Sequence, residues 1–357
     1  MLTRHIAGRT YNFEEAVGSG VGGGRGFLAP VDFALGSEGI LYVICKGFEY
    51  TPNTGVTKCT MDHRFLWEDR STTFSAGHSA FPMSIAVDSN EDVYIADDYS
   101  NRIFIYDKDG APVGFWPDRE PVEATTYSPA KLPVDLYLTK LRGGNEGDGE
   151  FNGPSGIAFD SDDNLYVVDS QNHRVQKFTR DGKFLLKFGS FGSGQGQFNL
   201  PWGIGLDREG NVLVADWRND RVQKFTAGGE YLATFGPGTG DGELQRPTGV
   251  AVDNDGDVYV ADWGNDRLNV YAPDGDYITS FHGDADKLAP AHQGTVDANP
   301  DNQKARKRTD LSVERPFWRP VAVNVDDKGR IMVLDLQRNR IQVYIKEKAW
   351  VEAQFNL

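Results

Sequence analysis

The feature that most constrains this chain is a phrase that it repeats. Pro154-Ser155-Gly156-Ile157-Ala158-Phe159-Asp160 returns as Pro201-Trp202-Gly203-Ile204-Gly205-Leu206-Asp207 and as Pro247-Thr248-Gly249-Val250-Ala251-Val252-Asp253, with looser copies opening at Pro30, Pro82 and Pro320, six in all. Each opening is followed by a second apolar run that ends in Asp, as at Asp169, Asp216 and Asp262. An Arg five residues after that Asp begins a third run (Arg174, Arg221, Arg267), and a fourth segment such as Phe184 to Gly189 or Tyr231 to Gly236 closes the unit. The runs are short, rich in β-branched and aromatic residues, and separated by turns such as Asp181-Gly182 and Asp274-Gly275, which is the chemistry of hairpins. Every unit therefore reads as a four-stranded antiparallel meander.

One such sheet cannot bury both of its faces, whereas sheets set radially about an axis cover one another. Six units predict an all-β fold, a six-bladed β-propeller of four-stranded antiparallel blades. Tyr11 to Gly18, followed by a Gly-rich turn and Pro30, repeats the grammar of Phe184 to Pro201. The N-terminal strand is thus expected to complete the last blade, with the tail Trp350 to Phe355 as the candidate to take that place instead or to flank it. Residues 1–357 are expected to form one domain. Pro154, Pro201 and Pro247 are 47 and 46 residues apart, but Pro82 to Pro154 is 72 and Pro247 to Pro320 is 73, so two inserts hang from fourth-to-first-strand connections, at about 117–152 and 283–319.

Charge narrows the partners. With 37 Lys and Arg against 52 Asp and Glu, the net charge of −15 argues against nucleic acid and against an anionic membrane surface. Apolar runs such as Ile40 to Cys45 are far too short to cross a bilayer. Met1 to Ile6 lacks the apolar stretch of a secretory signal, and the chain reads as cytoplasmic. Cys45 and Cys59 are the only cysteines, too few for a disulfide framework or a cysteine metal cluster.

The phrase Pro-x-Gly-Ile-Ala-Val-Asp, then Leu-Tyr-Val-Ala-Asp-x-x-Asn-x-Arg-Val-Gln-x-Phe, resembles the NHL repeat family. The resemblance covers essentially the whole chain and is strongest from Asn152 to Gly283. It implies a soluble recognition scaffold that binds a peptide, a protein or a small molecule at the insert-bearing rim of the central channel. The alternative is a lyase or hydrolase with its active site at the channel mouth. Peptide-amidating lyases are distantly similar propellers whose pattern places metal-binding His directly after the opening Pro. Here those positions are Val31, Met83, Ser155, Trp202, Thr248 and Val321, so the ligand set is missing, although Asp97 to Arg102 resembles the lyase segment carrying its active-site Tyr and matches it with Tyr99. RNA binding, known in some NHL relatives, would need a basic face, and only Lys304 to Arg319 offers one.

In a meander, the start of strand one, the end of strand two and the start of strand three share one face of the disc. The turns between strands one and two lie on the other and gather carboxylates such as Asp88, Asp160, Asp207, Asp253 and Asp326. The couples Asp97/Arg102, Asp169/Arg174, Asp216/Arg221, Asp262/Arg267 and Asp335/Arg340 recur in five blades, whereas a reaction needs its apparatus once, so they read as structural. Function belongs where the repeat is broken.

Cys45 replaces the strand-two Asp in the first blade, with Lys46 beside it; a thiol next to a cation can act as a nucleophile, or Cys45 is a small core residue of a degenerate blade. Trp202, Trp217 and Trp263 occupy rim positions of adjacent blades, either as the wall of a ligand pocket or as wedges between blades, and Arg218 and Asp98 are the polar groups nearest to them. The second insert carries Lys304, Arg306, Lys307, Arg308, Arg315 and Arg319, a solvated linker or a source of cations for an anionic ligand. No cofactor is expected. A divalent metal finds no ligand spacing among the six His, of which His63 and His78 are expected nearest the channel, with His78 a catalytic candidate beside Tyr99 and Cys45. The turn Asp253-Asn254-Asp255-Gly256-Asp257 looks like part of a calcium loop but lacks the later Glu.

Overall fold

The computed structural model describes residues 3–18, 27, 29–46, 55–62, 64–69, 82–98, 100–116, 146–285, 290–308, 310, 312 and 315–347. The repeated phrases become six antiparallel sheets. Blade 1 holds strands Pro30–Leu35, Ile40–Cys45, Gly55–Thr60 and Phe65–Asp69, and blade 2 holds Pro82–Val87, Val93–Asp97, Arg102–Tyr106 and Pro112–Trp116. Blade 3 is Pro154–Phe159, Leu165–Asp169, Arg174–Phe178 and Phe184–Phe188; blade 4 is Pro201–Leu206, Val212–Asp216, Arg221–Phe225 and Tyr231–Phe235. Blade 5 is Pro247–Val252, Val258–Asp262, Arg267–Tyr271 and Tyr277–Phe281. Blade 6 joins the two ends of the chain: Pro320–Val325, Arg330–Asp335 and Arg340–Glu347 are completed by Arg9–Val17, paired antiparallel from Tyr11 with Lys346 to Val17 with Ile341. The fold is a six-bladed β-propeller closed by its N-terminal strand. A further strand, Thr3–Ile6, flanks that blade as a fifth member, which the repeat does not predict.

Strand two explains why the sequence alternates so little there. All five of its residues are buried in blades 2 to 5, because both faces of each sheet are covered by neighbouring blades. Strand four of blade 3 reverts to alternation, with Leu185 turned to solvent. The core is accordingly a set of inter-blade clusters; one joins Leu213, Ala215 and Val222 of blade 4 to Val250, Val258 and Val260 of blade 5.

The opening Pro-x-Gly has a packing origin. The first strands ring the axis so tightly that a Cβ on Gly203 would collide with the Thr248 carbonyl oxygen, and one on Gly156 would lie 2.6 Å from that of Trp202. In all six blades the pairing of strands one and two shifts register just after the opening Pro, a bulge that turns the chain at the channel mouth. The ring encloses a channel of about 340 Å³.

The second insert contains two short helices, Pro290–Asp297 and Pro300–Arg308, and the latter carries Lys304, Arg306, Lys307 and Arg308. Of the first, residues 117–145 lie outside the described residues.

Candidate functional site

The strand-two Asp organises the rim. In blade 4, Asp216 is fully buried; it accepts hydrogen bonds from the Asn199 N–H at 2.7 Å, the Asn219 side chain at 2.8 Å and Arg221 Nε at 2.9 Å. Arg221 in turn donates to the carbonyls of Ser193, Gly194 and Gln197, fixing the incoming connection. Asp169 with Arg174 (2.7 Å), Asp262 with Arg267 (2.8 Å) and Asp335 with Arg340 (3.2 Å) repeat the ion pair. Burial outweighs these partners and raises Asp169, Asp216 and Asp262 above the usual carboxylate range, and Asp335 to about 6. Blade 2 departs from the expected couple: Asp97 accepts from the N–H and hydroxyl of Ser100, while the Arg102 guanidinium lies 4.0 Å from the Phe115 ring centre.

After that Asp in blades 3 to 6, a single turn of 3-10 helix ends in a left-handed residue, and these four residues, with the left-handed Asn101 of blade 2, reach the next blade. Asn101 accepts from the Gly153 N–H (2.6 Å), His173 from Leu200 (3.1 Å), Asp220 from Arg246 (2.7 Å), Asp266 from Arg319 (2.7 Å) and Asn339 from Ala29 (2.9 Å). Each receiving residue directly precedes an opening Pro, and each has positive φ. These five latches stitch the blades together at the rim.

On this frame the tryptophans do not stand alone. Trp217 and Trp202 are half-buried with ring centres 5.9 Å apart, and Trp202 also lines the channel mouth. The Arg246 guanidinium lies 5.1 Å from the Trp217 ring centre and 6.0 Å from that of Trp263, Arg319 lies 4.9 Å from Trp263, and Arg218 lies 5.4 Å from Trp217. The result is an alternating array, Arg218, Trp217, Arg246, Trp263, Arg319, across blades 4 to 6. Trp318, 49% exposed, adds a second pair with Arg338 at 5.4 Å. Arg246 and Arg319 are each placed by one loop twice over: the loop that supplies Trp217 also supplies Asp220 to hold the Arg246 N–H, and the loop of Trp263 supplies Asp266 for Arg319. Reading the sequence misses Arg246, whose only signal is a cation immediately before an opening Pro.

The other half of the rim is differently built. Lys46 of blade 1 faces Asp98 of blade 2, which accepts from Gln171 of blade 3. Burial lowers Lys46 and raises Asp98, and each opposes the other's shift. Cys45 is 6% exposed among Val17, Phe27, Phe33 and Leu41. Burial pushes its neighbour Cys59 up to about 12. Tyr99, His63 and His78 lie outside the described residues.

Inside the channel the sequence gives no warning of Asp32, which stands where other blades carry Gly, Ser or Ala. Its carboxylate accepts from the Ser84 hydroxyl at 2.6 Å and the Ile85 N–H at 3.0 Å, and burial raises it to about 6.

The opposite face is largely neutralised by its own cations. Arg180 meets Asp88, Lys177 meets Asp160, Lys224 meets Asp207 and Arg330 meets Asp326, all within 2.7 to 2.9 Å. The calcium-like turn already holds a cation: Lys346 Nζ lies 2.6 Å from Asp253 and 2.8 Å from both Asp255 and Asp257, with Arg9 bonded to Asp257 beside it.

The NHL repeat family matches residues 151–178, 198–225 and 244–271, the inner three strands of blades 3, 4 and 5. These blades are NHL repeats. Protein brain tumor of Drosophila melanogaster is 34% identical over 74 residues, which is 20% of this chain and 7% of that protein's length. Among solved structures, a streptogramin B lyase superposes with a TM-score of 0.55 at 15% identity, covering 94% of this chain and 98% of that one. A protein of unknown function from Bacteroides thetaiotaomicron gives 0.57 at 17% identity over 96% of this chain and 77% of its own. At such identities the likeness is one of fold, and folds of this kind host unrelated activities. No helix among the described residues is long and apolar enough to cross a membrane.

Proposed function

We propose that this NHL-repeat propeller is a recognition scaffold that binds a peptide, protein or small-molecule ligand on the insert-bearing rim, at the channel mouth beside Trp202, with Trp217, Trp263 and Arg218 as further contacts. One observation carries the reading: the rings and guanidiniums form a continuous array over three blades at the place where the repeat is broken. Directly after the opening Pro, where blade 4 carries Trp202, the other blades carry Val31, Met83, Ser155, Thr248 and Val321. Half-buried indoles held by cations are rigid contact surfaces that lose little entropy when a ligand arrives. A thermal-shift screen over peptides and metabolites tests this, since a ligand of the folded form raises its melting point. Hits should disappear in Trp217→Ala, and hits that survive in both Trp217→Ala and Trp263→Ala would place binding elsewhere.

A further inference from the structure

The repeat arginines and the array arginines differ in their partners. Arg174, Arg221, Arg267 and Arg340 each meet a buried carboxylate. Arg218, Arg246 and Arg319 are exposed and have no carboxylate at ion-pair distance among the described residues, although acidic groups outnumber basic ones across the chain. Asp220 and Asp266, on the loops of Trp217 and Trp263, are engaged with the backbone N–H groups of Arg246 and Arg319. A guanidinium stacked on an indole keeps its N–H edge available, and that edge matches a carboxylate bidentately.

Resting on the rim-binding reading, we infer that the ligand is an acidic peptide segment whose carboxylates are gripped by Arg246 and Arg319, with Arg218 as a third contact. The two main guanidiniums are separated by one indole, Trp263. An extended peptide places alternate side chains on one face roughly 7 Å apart, so a short acidic strand can reach both. One feature favours a peptide over a single-stranded nucleic acid. Trp217 and Trp263 each already hold two guanidiniums, which leaves little ring face for a base to stack on.

The test uses the full chain and a hexaglutamate peptide, with hexaglutamine and hexauridylate as controls, read by calorimetry and by the indole emission. Hexaglutamate should bind saturably, weaken with salt, and lose affinity by about tenfold or more in Arg246→Gln and again in Arg319→Gln, with unchanged melting points because both backbone latches remain. Arg218→Gln, on an exposed side chain, serves as the second variant should either of those fail to fold, and a smaller loss of affinity is expected from it. Absence of hexaglutamate binding, or binding indifferent to these arginines, overturns the inference, as does tighter binding of hexauridylate through the same residues. A neutral ligand lost in Trp217→Ala but kept in Arg246→Gln also overturns it, and does so while leaving the rim as the binding surface.

Discussion

His173 Nδ1 accepts the backbone N–H of Leu200 across the seam between blades 3 and 4, at 3.1 Å. Asn101 and Asn339 perform the same service at other seams with an amide oxygen. Only a neutral imidazole can accept, and burial holds His173 below its ordinary value of 6.5.

A folded-state pKa below the unfolded one favours the neutral form, so the stability from this latch is present above about pH 6.5 and declines as pH falls through the depressed value. Denaturation of the wild type against His173→Asn should show the variant gaining relative stability between about pH 6.5 and 5, by less than about 1 kcal/mol. A constant difference across that range would mean that the imidazole is not the latch.

Asp216→Ala should cost about 3–5 kcal/mol, because it strands Arg221 and leaves two further donors unmatched. Urea denaturation measures the loss. Where the variant remains folded, rim binding should persist; a stable Asp216→Ala protein that no longer binds would make the repeated couple functional.

Lys346, on the third strand of blade 6, clamps that blade to blade 5. Lys346→Met leaves Asp257, fully buried, and Asp253 with one cation fewer, and should destabilise by about 3–5 kcal/mol at pH 7. The cations depress Asp257, so the stability it contributes exists above its ordinary value of 3.8 and is lost as pH falls below it. The variant's deficit should therefore shrink in acid, and a deficit that grows instead would contradict the clamp.

Asp32 has the opposite sign. With its pKa raised to about 6, ionisation opposes folding, and the penalty grows from about pH 4 and is complete above pH 6. Asp32→Asn should be more stable than the wild type at pH 8 by about 1–2 kcal/mol and equal to it near pH 4. Equal stabilities at both pH values would show that water relieves the channel carboxylate.

The legible part of this molecule was whatever recurs. Pro201, Gly203, Asp216 and Arg221 hold fixed jobs in a meander, so their spacing reveals the strands, the shared rim and the closure by Tyr11 to Val17. Lys346 and Asp253 are 93 residues apart in sequence and meet only at the seam between blades 5 and 6, where no local pattern announces them. Arg246 is hidden for a related reason: among the described residues the one before the opening Pro is Ala29, Gly153, Leu200, Arg246 or Arg319, and its importance comes from a left-handed backbone and a loop of the preceding blade. The helices Pro290–Asp297 and Pro300–Arg308 sit in an insert outside the repeat, and their weak amphipathic patterns left them unread.

The most direct test is the dissociation constant of a rim ligand measured by calorimetry for three proteins: wild type, the double variant Trp217→Ala/Trp263→Ala, and Asp162→Lys in an exposed turn on the opposite face. The tryptophan variant should weaken binding by about tenfold or more while Asp162→Lys leaves it unchanged. The reverse pattern would contradict the assignment of recognition to this rim.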